Sequence, residues 1–222
     1  MPVTLHVWRV PRRRIGAALI RMALSRRPAN ASFAKFVGTA TGFRPQDGDL
    51  TRFAAVTVSD DEISFPRWDR IASQSCRVDL ALLHSHGRWS GREPFGEAEA
   101  RSKTDGMVVS ITRARLRPAK ALTFWRAIPP VVTELAEAPG LLAHFGMGEA
   151  PIGWQGTVSV WRHSADLTRF AYRQPEHRAV IARTPADRWY AEDLFARFAV
   201  RRISGDRSVL GWVADEEGET ER

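Results

Sequence analysis

Apolar and polar residues alternate along the first part of the chain in a pattern that predicts four strands and two helices. Strands are indicated where β-branched and aromatic residues alternate with polar ones, in TLHVWRV, SFAKFVGTAT, LTRFAAVTV and VDLALLHSH. A helix is predicted after the first strand, because apolar residues recur at helical spacing at Ile15, Ala18, Leu19 and Met22. FPRWDRIASQS predicts a shorter helix before the fourth strand. The order is strand–helix–strand–strand–helix–strand.

The same order begins again after residue 105. Strands are predicted in GMVVSITRARL, LLAHFGMGEA, GTVSVWRHS and FAVRRIS. A helix after the first of them has the apolar face Leu122, Trp125, Ile128, Val132 and Leu135. Pro129 and Pro130 should kink or split that helix. A second helix is predicted between Pro175 and Pro185, and a capping pattern at residues 184–187 predicts another one through Phe198.

Weak identities support an internal duplication. VWRVPRRRIGAALIRMA and ITRARLRPAKALTFWRA both run from a strand through an arginine cluster into a helix, and KFVG and AHFG match at the next strand. The βαββαβ order is that of the ferredoxin-like unit, and two such units can bury their open sheet faces against each other. We therefore predict an α+β fold in which a duplicated ferredoxin-like βαββαβ repeat closes into an intrachain α/β barrel.

This fold predicts a single compact domain over residues 1–222. It consists of two repeats, at about 1–86 and 106–210, which the loop 87–105 joins, and it ends in an acidic tail at 211–222. There is no apolar run of about 20 residues that would span a membrane, and the N-terminus has no apolar signal-peptide region. Cys76 is the single cysteine, so an internal disulfide is excluded. Together these features favour a cytoplasmic location.

The net charge of +8 comes almost entirely from arginine. Two explanations stay open, a genome that favours arginine codons and a site for phosphate, carboxylate or nucleic acid. A nucleic-acid protein would usually carry a basic stripe with interleaved aromatic residues, whereas RVPRRR is the only dense basic run here.

Several histidines are candidates for chemistry. His177 lies on the apolar face of its predicted helix with Val180 and Ile181, where it is either a core histidine or a ligand. His84 and His86 share one face of a strand, but no third ligand stands at a typical metal-binding spacing, which favours a structural role.

The stretch GRWSGREPFG is either a flexible link between the halves or a lid over a pocket, and it is unusually aromatic and charged for a link. Glu149, in GMGEAP, is a polar pocket group or a surface residue. That stretch lacks both GxGxxG and a P-loop lysine, which argues against a nucleotide site.

Six blocks in chain order resemble the spheroidene monooxygenase family of carotenoid biosynthesis. They are KFVGTATGF, GRWSGREPF, FWRAIPPV, GMGEAPIGWQGTVSVW, FAY…H…VI.RT and WYAEDLFARF. The resemblance covers nearly the whole chain. It implies a haem-dependent monooxygenase of the dimeric α/β-barrel superfamily, which hydroxylates or ketonises a hydrophobic substrate such as an acyclic carotenoid.

The resemblance also implies roles for particular residues. His177 would bind the iron of haem b, with His144 and His163 as alternatives. Arg88 would donate a hydrogen bond to dioxygen or to a propionate, and Trp89 would line the pocket, so both are candidate catalytic residues. The remaining candidates for cofactor binding are Arg113, Arg126 and Trp125. The arginines could instead cap a strand–helix junction, and Trp125 could belong to the core.

The implied partners are a small hydrophobic substrate, O2 and an electron donor such as a ferredoxin, with no nucleic acid. A homodimer, and a peripheral membrane contact through which the protein would reach a lipophilic substrate, are left open. Two alternatives also stay open. One is a haem enzyme of another reaction type (N-oxidation, dehydration or peroxidation of a small molecule), and the other is a non-enzymatic ferredoxin-like module that binds RNA.

Overall fold

Eight antiparallel strands close into one barrel in the computed structural model, which describes residues 2–42, 45–98, 104–149, 154–173 and 189–212. Each strand alternates apolar and polar positions, so each half forms a sheet with one face to bury. The strands are β1 (Val3–Arg9), β2 (Phe33–Ala40), β3 (Gly48–Val58), β4 (Gln74–Gly87), β5 (Val108–Leu116), β6 (Leu141–Gly148), β7 (Trp154–Trp161) and β8 (Tyr190–Gly205).

The strand order confirms the predicted duplication. Around the barrel it runs β1-β3-β2-β6-β7-β5-β8-β4, so the first half has the order β4-β1-β3-β2 and the second half repeats it as β8-β5-β7-β6. Two seams join the halves. The β4–β8 seam is long and runs from Cys76–Gly205 to Gly87–Leu194, whereas β2 and β6 pair only from Gly38–Gly148 to Ala40–Gly146. The predicted α+β barrel of two ferredoxin-like repeats is therefore confirmed.

The interior of the barrel is a packed apolar core. Alternate residues of every strand point inward, for example Val3, Leu5 and Val7 of β1. The segment after β4 closes one end, where Trp89 and Phe95 are buried against Phe33. A 3₁₀ turn (Arg207–Leu210) closes the other end. A substrate the size of a carotenoid therefore has no room inside the barrel.

Helices cover the outer faces of the two sheets. They are α1 (Ile15–Leu24), α2 (Pro66–Asp69), α3 (Ala121–Ala127), α4 (Pro129–Ala136) and α5 (Ser164–Arg173). The predicted split before Pro129 is confirmed, since α3 ends at Ala127 and α4 begins at Pro129. The predicted apolar face of this segment is confirmed at Trp125, Ile128, Val132 and Leu135, which belong to apolar clusters. It is wrong at Leu122, which is 59% exposed, whereas Phe124 is buried. Within the described residues no helix is long and apolar enough to cross a membrane.

The helix predicted through Phe198 is wrong, because this segment is the strand β8. Leu194, Ala196 and Phe198 point into the core at a period of two, and β4 and β5 pair with the strand on either side. These ladder hydrogen bonds outweigh the local capping signal. The helix predicted between Pro175 and Pro185, with His177, lies outside the described residues, as do the capping residues 184–187 and most of the acidic tail.

Candidate functional site

Two neighbouring rows of residues cross the outer face of the second sheet, and we call them the polar face. The first row follows the strand registers through His144, Ser159, Ser110, Arg197 and His84. The second row consists of Gly146, Thr157, Thr112, Phe195 and His86. Because side chains alternate along a strand, these residues point away from the barrel core, where their neighbours Ile111, Val158 and Ala196 lie. Small and polar side chains therefore occupy the centre of this face.

The helices above this face make two separate apolar contacts. At one end of β5, Val108 packs with Trp161 and with residues of α4 and α5. At the other end, Leu116 packs with Trp189 and with residues of α3. Between these clusters, the outward positions of β5 are Ser110, Thr112 and Ala114, which belong to neither cluster. Small and polar side chains therefore separate the two apolar clusters on this face, and Ser110 and Ser159 among them are buried.

Arg197 places a positive charge on the polar face. Its guanidinium donates to Ser164 Oγ (3.2 Å) and Thr168 Oγ1 (3.4 Å) of α5. Its Nε is buried and has no hydrogen-bond partner among the described residues, and none of their carboxylates forms an ion pair with it. Desolvation by burial lowers the pKa of Arg197. A half-buried cation with an N–H that has no partner among the described residues is suited to an anionic group of a ligand.

A second group of polar residues closes one end of the barrel, and we call it the end network: Lys35, Trp89, Ser90, Arg113, Glu149 and Glu192. Glu149 accepts from Lys35 Nζ (2.8 Å), from Trp89 Nε1 (2.6 Å) and from Arg113 Nη2 (3.1 Å). Arg113 also forms an ion pair with Glu192. The side chains of Arg113 and Glu149 are only 3% and 8% exposed, so the central ion pair of this network is buried.

The end network holds the chain segment that follows β4. Gly87 ends the strand with a φ of 87°, which favours glycine. The N–H groups of Ser90 (2.9 Å) and Gly91 (2.6 Å) then donate to the carboxylate of Glu192. Burial opposes ionisation of Glu192, but these N–H groups and Arg113 outweigh it and lower its pKa. The crevice beside Trp89 and Arg113 has no room for a water-sized molecule, whereas a ligand pocket must enclose most of its ligand. The network therefore acts as a closure of the barrel.

The structure brings two of the predicted site residues together. The guanidinium carbon of Arg113 lies 6.0 Å from the ring centre of the fully buried Trp89. Arg88 is exposed and lies 3.6 Å from Glu93. On α3, Trp125 donates to Gln155 Oε1 (3.3 Å) and Arg126 is exposed.

The other histidines differ in their surroundings. His144 is half-buried in the polar face, and burial followed by the charge of Arg52 lowers its pKa. His163 is exposed, with its Nδ1 2.7 Å from the carbonyl oxygen of Asp105. His84 and His86 are exposed, with ring centres 6.5 Å apart. Among the described residues, no cluster of three or more His, Cys, Asp or Glu side chains could hold a metal ion.

Sequence reasoning missed Lys35, Glu192 and Arg197, and it favoured a surface position for Glu149, which is buried. One signal was present for Lys35 and Glu192, because each occupies the inward-facing side of an alternating strand close to its start. A charge at such a position needs a partner across the barrel. The identity of that partner depends on the strand order, which no local pattern contains.

Comparison with known proteins gives relatives over most of the chain. No protein-family model matches. The chain is 31% identical to the spheroidene monooxygenase of Rhodobacter capsulatus over 202 residues, which cover 83% of each protein. It is 30% identical to the spheroidene monooxygenase of Rubrivivax gelatinosus over 189 residues, covering 79% of this chain and 71% of that protein. Among solved structures, an aldoxime dehydratase superposes with a TM-score of 0.55 at 12% identity, covering 90% of this chain and 80% of that one, and so shares the fold.

Proposed function

We propose that this chain, which belongs to the spheroidene monooxygenase family, is a haem-dependent monooxygenase. Its substrate would be a hydrophobic molecule such as an acyclic carotenoid. The family membership rests on the identity to the Rhodobacter capsulatus protein. The reaction would insert one oxygen atom of O2 into a C–H bond, while two electrons from an external donor such as a ferredoxin and two protons would reduce the other oxygen atom to water. A second insertion at the same carbon would give the ketone after loss of water.

The polar face is the proposed haem site, and the observation that carries this proposal is the set of small and polar residues between the two apolar clusters. Haem is flat and apolar, with two carboxylates at one edge. The side chains of Ser110, Thr112 and Thr157 are small, so a flat group on this face would lie close to the sheet. Arg197 supplies a buried N–H that lacks an acceptor among the described residues, which suits a propionate. When bound, haem supplies the activation of O2, and the protein supplies orientation and access.

Roles follow for the residues around this face. His177 is the proposed iron ligand, since the segment that contains it connects α5 to β8 and both elements border the polar face. We add Arg197 to Arg126 as a propionate partner. The charge of Arg113 is already neutralised by Glu149 and Glu192, so Arg113 is not needed for a propionate. Its proposed role is to fix the end of the barrel beside the haem site. Trp125 would border the cofactor from α3.

Arg88 and Trp89 have different proposed roles. Arg88 comes two residues after His86 and donates its N–H to Asp193 O (2.7 Å), which places it at the edge of the polar face. From this position Arg88 could reach dioxygen or a propionate. It would first have to leave Glu93, to which it is bound only by a weak, exposed ion pair. Trp89 anchors the same segment to Glu149 and would hold Arg88 in place.

The experiment is an absorption spectrum of protein expressed with a haem supply. The protein should have a Soret band, and His177→Ala should lose most of it while the far-UV circular dichroism is unchanged. Arg197→Ala should weaken haem binding, whereas Arg202→Ala, an exposed arginine of the same strand, should not. Conversion of spheroidene to an oxygenated product should then require O2 and a reductant.

Two outcomes would contradict the proposal. Folded protein without a Soret band would exclude haem dependence. A full, unshifted band in His177→Ala would move the ligand to another residue, and His144 and His163 would be the next variants.

A further inference from the structure

Helix α1 carries its large aliphatic side chains on the solvent side. Leu19, Ile20 and Leu24 are 45%, 62% and 71% exposed, and Ala18 is the buried residue of the helix. With the exposed Gly16 and Ala23, they recur at the spacing of one helix face. Three large aliphatic residues on one side of a ten-residue helix form a contiguous apolar surface, which indicates an interaction site.

Arginines surround this apolar surface at both ends of the helix. Arg12, Arg13 and Arg14 form the exposed 3₁₀ turn before α1, and Arg26 and Arg27 are exposed directly after it. No carboxylate of the described residues forms an ion pair with any of these five. Their charge is therefore available to a partner.

The charge distribution of the whole chain points the same way. Residues before Asp47 include nine of the 33 basic residues and none of the 25 acidic ones. The rest of the chain has 24 basic against 25 acidic residues, so the entire net charge of +8 comes from the region that contains α1. The segment that contains α1 thus has no acidic residue of its own to balance its positive charge.

We infer that α1 docks the protein on an anionic lipid surface. An apolar helix face flanked by arginines matches a membrane interface, where aliphatic side chains enter the acyl boundary and guanidinium groups contact phosphates. At about 1.5 Å per residue, ten residues reach about 15 Å, so α1 lies in the plane of the surface and does not span a core of about 30 Å.

Other partners explain only half of the surface. Nucleic acid or an acidic protein would account for the arginines but not for Leu19, Ile20 and Leu24. A second copy of the chain would bury the aliphatic face but would bring two clusters of arginine together. The inference stands on exposure and charge alone and does not depend on the proposed function, although a membrane is where a lipophilic substrate would be met.

The test is flotation of the full-length protein with vesicles of phosphatidylcholine, with and without phosphatidylglycerol. Binding should require the anionic lipid. Ile20→Glu and Leu24→Glu should each weaken it about tenfold or more. The pair Arg13→Gln and Arg14→Gln should weaken it about 25-fold, at about fivefold for each charge. All four side chains are exposed, and thermal unfolding would check that the variants fold.

Matched controls separate this surface from general charge and hydrophobicity. Arg201→Gln with Arg202→Gln removes the same charge from exposed positions of β8, and Leu50→Glu changes a leucine of β3 that is 57% exposed. Neither control should alter binding.

Several outcomes would overturn the inference. One is no binding to anionic vesicles, or equal binding to neutral ones. Equal losses in the controls and the α1 variants would also contradict it. A wild-type dimer that Ile20→Glu converts to monomer, without vesicle binding, would assign the face to a second copy. Retention of an oligonucleotide that depends on Arg13 and Arg14 but not on Ile20 would assign it to nucleic acid.

Discussion

The two halves of the barrel have the same strand order, but their helices pack on the outer faces of the sheets in different ways. In the first half, Trp8 stacks on Trp68 at 5.1 Å, and Phe65 meets Trp8 edge-on at 5.5 Å. Phe53 and Ala18 complete this cluster, so aromatic rings fill the space between sheet and helices. In the second half, Ser110, Thr112, Thr157 and Ser159 occupy the centre of the face, and the helices contact the sheet at two separate places.

This difference distinguishes the half whose helices pack on the sheet through aromatic rings from the half that carries the proposed haem site. Burying large aromatic side chains stabilises the first half, since each buries roughly 150–250 Å². The Ser and Thr side chains on the outer face of the second half bury little apolar surface. This face therefore contributes less to the stability of the protein. Such a face is suited to a group that is not part of the chain. The duplication thus lets aromatic packing stabilise one half, while the other half carries the proposed haem site.

The largest expected effect comes from truncating the aromatic cluster of the first half. Trp68→Ala should lower the free energy of unfolding by about 3–5 kcal/mol, because Trp68 is only 3% exposed and its removal leaves a cavity. Ser110→Ala, at a buried position of the polar face, should cost less than about 1 kcal/mol. Urea unfolding followed by far-UV circular dichroism measures both. Similar losses in the two variants would mean that the halves are packed alike.

The histidines of the two outer faces should differ in their linkage to pH. Burial, and then the charge of Arg77, lower the pKa of His6 to about 4, and its Nε2 has no hydrogen-bond partner among the described residues. The unfolded chain, with a pKa of 6.5 for this group, binds the proton more readily. Stability from neutral His6 is therefore full above pH 6.5 and is lost as the pH falls towards 4, by up to about 3 kcal/mol.

The test is the urea midpoint between pH 7 and pH 4. His6→Leu should reduce the loss of stability over this range, and His86→Leu, at an exposed position of the polar face, should leave it unchanged. An unchanged pH dependence in His6→Leu would show that His6 is not a neutral core residue.

The smallest effect concerns the short seam between the halves. Lys35 of β2 reaches Glu149, directly after β6, and so adds an ion pair where only a few residues pair across the strands. Glu149→Gln should lower the free energy of unfolding by about 1.5–3 kcal/mol, since it weakens charged hydrogen bonds from Lys35, Trp89 and Arg113.

The control is Glu93→Gln, which removes a carboxylate that is 73% exposed and should cost less than about 0.5 kcal/mol. Chemical denaturation at pH 7 compares the two variants. Equal stability of both would mean that the end network contributes nothing to joining the halves.

The periodicity of apolar residues along the chain was sufficient to predict most of the strands and helices. The strands around Val3–Arg9 and Val108–Leu116 follow the alternation of their residues, and Pro129 splits its helix as its ring geometry requires. The prediction failed at β8, where a capping pattern competed with alternation. It also failed at Leu122 of α3, which is exposed, whereas Phe124 on the opposite side of the helix is buried against Trp189 and Tyr190, a contact that only the tertiary structure creates.

The sequence by itself determined the repeated order of elements, the barrel that follows from two one-faced sheets, and the excess of arginine around α1. Only the tertiary structure decided which charges meet. Lys35, Arg113, Glu149 and Glu192 come from four distant segments and converge because the strand order brings their ends to one rim of the barrel. The polar face likewise exists only across five paired strands. Local preferences act over a few residues, whereas a site is a relation between residues that only closure of the barrel makes neighbours.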